Sequence, residues 1–95
     1  MTKEEFIVFL EEIGAHYKIP EEQNTDRVYV YGAPEMLDDP IFIGNKMKFT
    51  PYLRVSHFEE YPDQLYTRDC GLCDYQTIDW VKNKCIELTE SFKES

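Results

Sequence analysis

Histidine is scarce in this chain, with two in 95 residues, and bases are outnumbered, with ten Lys and Arg against 19 Asp and Glu. Each shortage excludes something. So few histidines give no convincing Ser/His/Asp or Cys/His set for nucleophilic catalysis. No P-loop, G-x-G-x-x-G or EF-hand string is present. Paired carboxylates do occur, at Glu11/Glu12, Glu21/Glu22, Asp38/Asp39 and Glu59/Glu60. All fall in turns or on a polar helix face, where nothing separates their pKa values as acid–base chemistry requires. The expectation is that the protein is not an enzyme. Nor is there a basic stripe for nucleic acid, because Arg27, Lys46, Lys48 and Arg54 are too few.

Glycine (four) and proline (five) are too few for a flexible linker. The apolar run at the N-terminus, Phe6 to Leu10, stops after five residues at Glu11 and Glu12. That suits neither a signal peptide nor a membrane span, so a cytoplasmic chain is expected. The cysteines, Cys70, Cys73 and Cys85, are odd in number, which favours reduced thiols over a disulfide framework.

What is present is apolar enough to fold. Hydrophobic residues make up 42% and aromatics 15%, too much for a disordered acidic tail. A chain of this length forms one domain, residues 1–95, which buries roughly 60–68% of its unfolded surface.

Thr2-Lys3-Glu4-Glu5 has the form of a capping box. Phe6, Phe9, Leu10, Ile13 and Tyr17 then recur at helical spacing, so a helix is expected from Lys3 to Ala15. Arg27 to Tyr31 alternates as a strand, with Val28 and Val30 on one face and Tyr29 and Tyr31 on the other, open to solvent or a partner. Ile41–Ile43 and Lys46–Phe49 suggest a hairpin around Gly44-Asn45. Tyr52 to Phe58 is the next strand, with Leu53, Val55 and His57 facing one way and Tyr52, Arg54, Ser56 and Phe58 the other. Leu65–Arg68 gives a last short strand and Asp69–Tyr75 a tight connection. Thr77 caps a final helix, Ile78 to Phe92, whose stripe is Ile78, Val81, Cys85, Leu88 and Phe92. Trp80 flanks that stripe, half-buried. The order implies an α+β domain: a helix, three or four antiparallel strands, and a second helix on the same face of the sheet.

Cys70-Gly71-Leu72-Cys73 has the spacing of half a tetrahedral zinc site, and Cys85 with His57 could supply the other half. Against this, Cys85 falls in the apolar stripe of the last helix, where a thiol serves as packing. A redox role is disfavoured because Asp69 and Asp74 flank the pair and negative charge raises a thiol pKa. No cofactor is therefore expected, with zinc as the alternative.

The charge is unevenly placed. Residues 1–26 hold seven acids and two bases, and residues 59–79 hold six acids and one base. Residues 27–58 and the chain from Trp80 onward are nearly balanced. In 59–79 the acids alternate with Tyr61, Tyr66 and Tyr75, a composition that imitates a phosphate backbone with stacked bases. The expected function is a non-enzymatic acidic binding protein that docks on a basic, nucleic-acid-binding protein such as a nuclease. Small inhibitors and DNA mimics of phages and other mobile elements, some directed at CRISPR nucleases, are of this type. The expected contact is Glu59, Glu60, Tyr61, Asp63, Asp69 and Asp74. Met36-Leu37 is a lesser candidate anchor. A structural protein that self-associates through Tyr29 and Tyr31 is the other alternative.

Overall fold

A computed structural model describes residues 1–20, 26–33, 51–69 and 71–94. The expected 41–49 hairpin, Met36-Leu37 and Cys70 lie outside them.

Helix α1 spans Lys3–Ile13, and its boundaries are set by its end residues. The Glu5 amide donates to Thr2 Oγ1 (3.1 Å) and the Thr2 amide to Glu5 Oε1 (3.3 Å), closing the capping box. At the other end Gly14 takes φ 73°. Its amide and that of Ala15 donate back to the Glu11 and Leu10 carbonyls, a Schellman turn that needs a residue tolerant of the left-handed region. The chain turns at once into β1 (His16–Lys18). β2 (Val28–Tyr31), β3 (Tyr52–Tyr61), β4 (Gln64–Asp69) and β5 (Leu72–Thr77) follow, and then helix α2 (Ile78–Glu94).

The described strands form one sheet in chain order, each antiparallel to the next. The expected class is correct, but the described residues form five strands rather than three or four. Two were not foreseen. β1 is only three residues long with no alternation to mark it, and β5 occupies what reads as a connection because Asp74 and Cys73 interrupt its apolar pattern. Both helices cover one face. There Phe6 and Leu10 of α1 and Val81, Cys85 and Leu88 of α2 pack on Val28, Val30, Leu53, Val55, Phe58 and Leu65.

The Thr77 hydroxyl caps α2 as expected, accepting from the Trp80 amide (3.2 Å). The Ile78 amide donates to the carbonyl of Asp63, in the β3–β4 turn (3.3 Å). Near the far end, Ser91 Oγ donates to the Gly32 carbonyl (3.0 Å) and Phe92 stacks on His16 (3.6 Å between centroids). Gly32 allows a close approach there: a Cβ would lie 2.8 Å from Leu88 Cδ2 and 3.1 Å from the Pro51 ring, so the Leu88 side chain would have to shift.

Two expectations about sheet faces fail. Tyr29 and Tyr31 do point away from Val28 and Val30, but they are 2% and 0% exposed, so they are not an open surface for a second copy. In β3 the alternation breaks at His57, which takes φ 55°. Ser56 pairs with Tyr66 and Tyr61 with Gln64, so residues 57–60 of β3 face Leu65 alone. This bulge turns Phe58, not His57, into the core, where it meets Phe6 at 5.4 Å. Asp26 holds it: Oδ2 accepts from the amides of His57 (2.8 Å) and Phe58 (3.4 Å). A left-handed, non-glycine residue costs on the order of 1–2 kcal/mol, and the Asp26 bonds offset that cost.

Two outcomes are expected. Asp26→Ala should lower stability by about 1–3 kcal/mol in urea denaturation, with Asp26→Asn intermediate, because the bulge amides lose a charged acceptor. Unchanged stability would show that the bulge does not depend on Asp26. Stability should also fall as pH rises from about 9 toward 12. Burial pushes the Cys85 thiol from 9.0 up to about 12 and raises the Tyr31 phenol in the same direction. Both groups ionise first in the unfolded chain, so their contribution is complete below the unfolded values and lost as pH climbs through the folded ones. Base titration followed by circular dichroism reads this, and Cys85→Ala should flatten the slope.

Candidate functional site

Beyond the bulge, the sheet face opposite the helices carries a chain of aromatic rings. Antiparallel pairing places Ser56, Tyr66 and Tyr75 side by side across β3, β4 and β5. Partners across a ladder point to the same face, so two tyrosines distant in sequence become neighbours. Tyr66 and Tyr75 meet edge-to-face at 4.9 Å. Tyr61 meets Tyr75 at 5.0 Å, and His57 meets Tyr66 at 5.1 Å. Such contacts contribute about 0.5–1.5 kcal/mol each when buried and less at the surface. Tyr61 remains 45% exposed at the open end of the chain.

The rings are bonded to charge. Tyr75 donates its hydroxyl to Glu60 Oε1 at 2.8 Å. That bond, with lesser effects of burial and of the Glu60 charge, pushes the phenol up to about 12. Tyr66 is raised as well, first by its hydrogen bond to Cys73. Cys73 is exposed, and Arg54 Nη2 lies 4.0 Å from its sulfur.

The bulge sends its two glutamates different ways. Glu60 goes to the ring chain, while Glu59 lines a cleft of about 300 Å³ with Lys3, Glu4, Asp26 and Phe58. The two acid-rich stretches of the sequence therefore meet there, with Glu4 and Asp26 from one and Glu59 from the other.

The six expected contact residues divide. Glu59, Glu60, Tyr61 and Asp63 gather at the β3–β4 end of the sheet, all exposed. Asp69 lies at the other end of β4, on the helix side, with its carboxylate 3.5 Å from Lys84 of α2. Asp74 shares the side of its partner Thr67 and accepts from the Tyr75 amide at 2.8 Å. Sequence reading missed Asp26, Glu4 and the ring chain. The ring chain was hidden because Tyr66 and Tyr75 meet only if residues 72–77 form a strand.

Of the candidate zinc ligands, Cys70 lies outside the described residues. Cys85 is buried in the core beneath α2, Cys73 is exposed on β5, and His57 lies against Tyr66. Among the described residues no group of three or more His, Cys, Asp or Glu could hold a metal ion. Among those residues no helix is long and apolar enough to cross a membrane. No protein-family model, curated protein or solved structure matches the chain.

Glu60→Gln should lower the Tyr75 pKa from about 12 toward its ordinary 10, because the phenol loses a charged acceptor and a neighbouring negative charge. Tyrosine ring-carbon NMR shifts followed against pH would show it, with Tyr75→Phe assigning the resonance. An unmoved midpoint would mean that the Glu60 bond does not form in solution.

Proposed function

We propose that this is a non-enzymatic acidic binding domain that docks on a basic, nucleic-acid-binding protein. It would act as an inhibitor or DNA mimic of the kind carried by phages and mobile elements. The observation that carries the reading is the bulge at 57–60, which places Glu59 with Glu4, Asp26 and Lys3 in a cleft against α1 and Glu60 on the Tyr75–Tyr61 pair of the opposite face. Carboxylates there stand where phosphates would meet a partner's Lys and Arg, and tyrosine rings supply flat faces where bases would stack. Complementary charge of this sort chiefly accelerates and orients docking, with strong salt dependence. Glu59, Glu60, Tyr61 and Asp63 form the centre of the contact. Asp69 and Asp74 are set apart from it by position, Asp69 at the far end of β4 on the helix side and Asp74 on the same side as its partner Thr67.

Affinity capture from a host lysate, with elution by salt, tests the reading. Glu59→Lys combined with Glu60→Lys and Asp63→Lys should weaken retention of the captured partner by at least about tenfold and flatten the salt slope. The captured protein should also release DNA in competition with the wild-type chain. If charge reversal leaves retention and slope unchanged, the reading is wrong.

A further inference from the structure

Another open concavity among the described residues lies between the helices, away from the ring chain. It is a groove of about 450 Å³, lined by Met1, Glu4, Glu5, Val8, Phe9, Glu12 and Lys82. Met1, Glu4 or Glu5, Val8 and Glu12 follow one another at helical spacing, so this wall runs along α1 for its whole length, about 16 Å. Lys82 of α2 forms the other wall, its Nζ 5.3 Å from the centroid of the Phe9 ring. The floor, formed by Met1, Val8 and Phe9, is apolar and open: Val8 is 54% exposed, two positions from Phe6 and Leu10 and so on the opposite side of α1 from those core residues.

We infer that this groove is a docking site for a basic amphipathic helix of a partner protein. Three features select that occupant. The exposed apolar floor calls for apolar anchors. The rim carries the carboxylates of Glu4, Glu5 and Glu12 against the ammonium groups of Lys82 and Met1, an acid excess that favours Lys and Arg flanking those anchors and disfavours phosphate. Glu5 is partly occupied by the capping box and Glu11, outside the groove, by Tyr17, which leaves Glu4 and Glu12 to face the partner. The third feature is the backbone. Both walls are helices, whose peptide groups are satisfied internally, so an extended peptide in the groove would find no ladder to join. A helix brings its own hydrogen bonds and packs ridge into groove. This contact does not depend on the sheet-face reading above. Glu4 lines both concavities and links the two surfaces.

The test uses the full chain, isotope-labelled, titrated with a synthetic Leu/Lys peptide of about four helical turns, with Leu at i, i+3 and i+4 spacing. A scrambled peptide of the same composition and poly-lysine serve as controls. Binding of the amphipathic peptide should shift Met1, Val8, Phe9 and Lys82 resonances, and the peptide should gain helical circular dichroism. Val8→Asp and Glu12→Lys should each weaken binding by about tenfold with no change in the chain's own melting, since Val8 and Glu12 are exposed. Equal binding of the scrambled peptide would overturn the inference, as would an unchanged affinity in both variants. So would shifts confined to Glu60, Tyr61 and Tyr75, an outcome that leaves the sheet-face proposal standing.

Discussion

The carboxylate of Asp26 bonded to two consecutive amides of β3 decides how the rest of the molecule is arranged. An extended strand passing His57 without a bulge would carry Phe58 to the face opposite the helices and leave Phe6 without its ring partner. With the bulge, Phe58 enters the core, His57 joins Tyr66, Glu59 turns toward α1 and Glu60 toward Tyr75. One side chain from the loop before β2 thus sets the facing of four residues in another strand. Because an anionic acceptor makes the stronger class of hydrogen bond, Asp26 can hold a left-handed histidine in place.

The helices were legible in the sequence because their information is local, although α1 ends at Ile13 rather than Ala15, and Tyr17, counted in its stripe, lies in β1. Thr2, Glu5, Gly14 and Thr77 set three of the four helix ends by bonding within a few residues, and the apolar stripes point at the core they fill. The sheet was less legible because its information is not local. A strict period of two assigns His57 inward and Phe58 outward, and only Asp26, 31 positions away, reverses them. β1 and β5 carry too few apolar residues to be recognised alone; they exist because β2 and β4 offer ladders to pair with. Burial of Tyr29 and Tyr31 was equally unreadable, since period-two alternation says which side a residue takes and nothing about whether that side is covered.

The acid excess has acquired a geometry. The first helix and the 59–79 segment are distant in sequence, yet Glu4 and Glu59 line one cleft, so the charge of both is concentrated at one corner of the sheet. Asp69 and Asp74 belong to the same stretch and serve other ends, one as the ion-pair partner of Lys84 and the other bonded to an amide of an edge strand. An edge strand with a charged side chain laid on its backbone is a poor template for an incoming strand. Composition alone does not separate a carboxylate that faces outward from one the fold itself employs.

The Asp63 carbonyl, bound to the first amide of α2, carries a consequence beyond capping. It fastens the turn that bears Asp63, between Tyr61 and Gln64, to the start of a helix of 17 residues. Hairpin turns are ordinarily among the loosest parts of a sheet, and ordering one on contact costs entropy that subtracts from affinity. Here the bond to α2 already restricts the turn within the fold. The exposed end of the hairpin is thereby tied by a backbone bond to the start of α2, so a displacement of the turn must either break that bond or move the helix end with it.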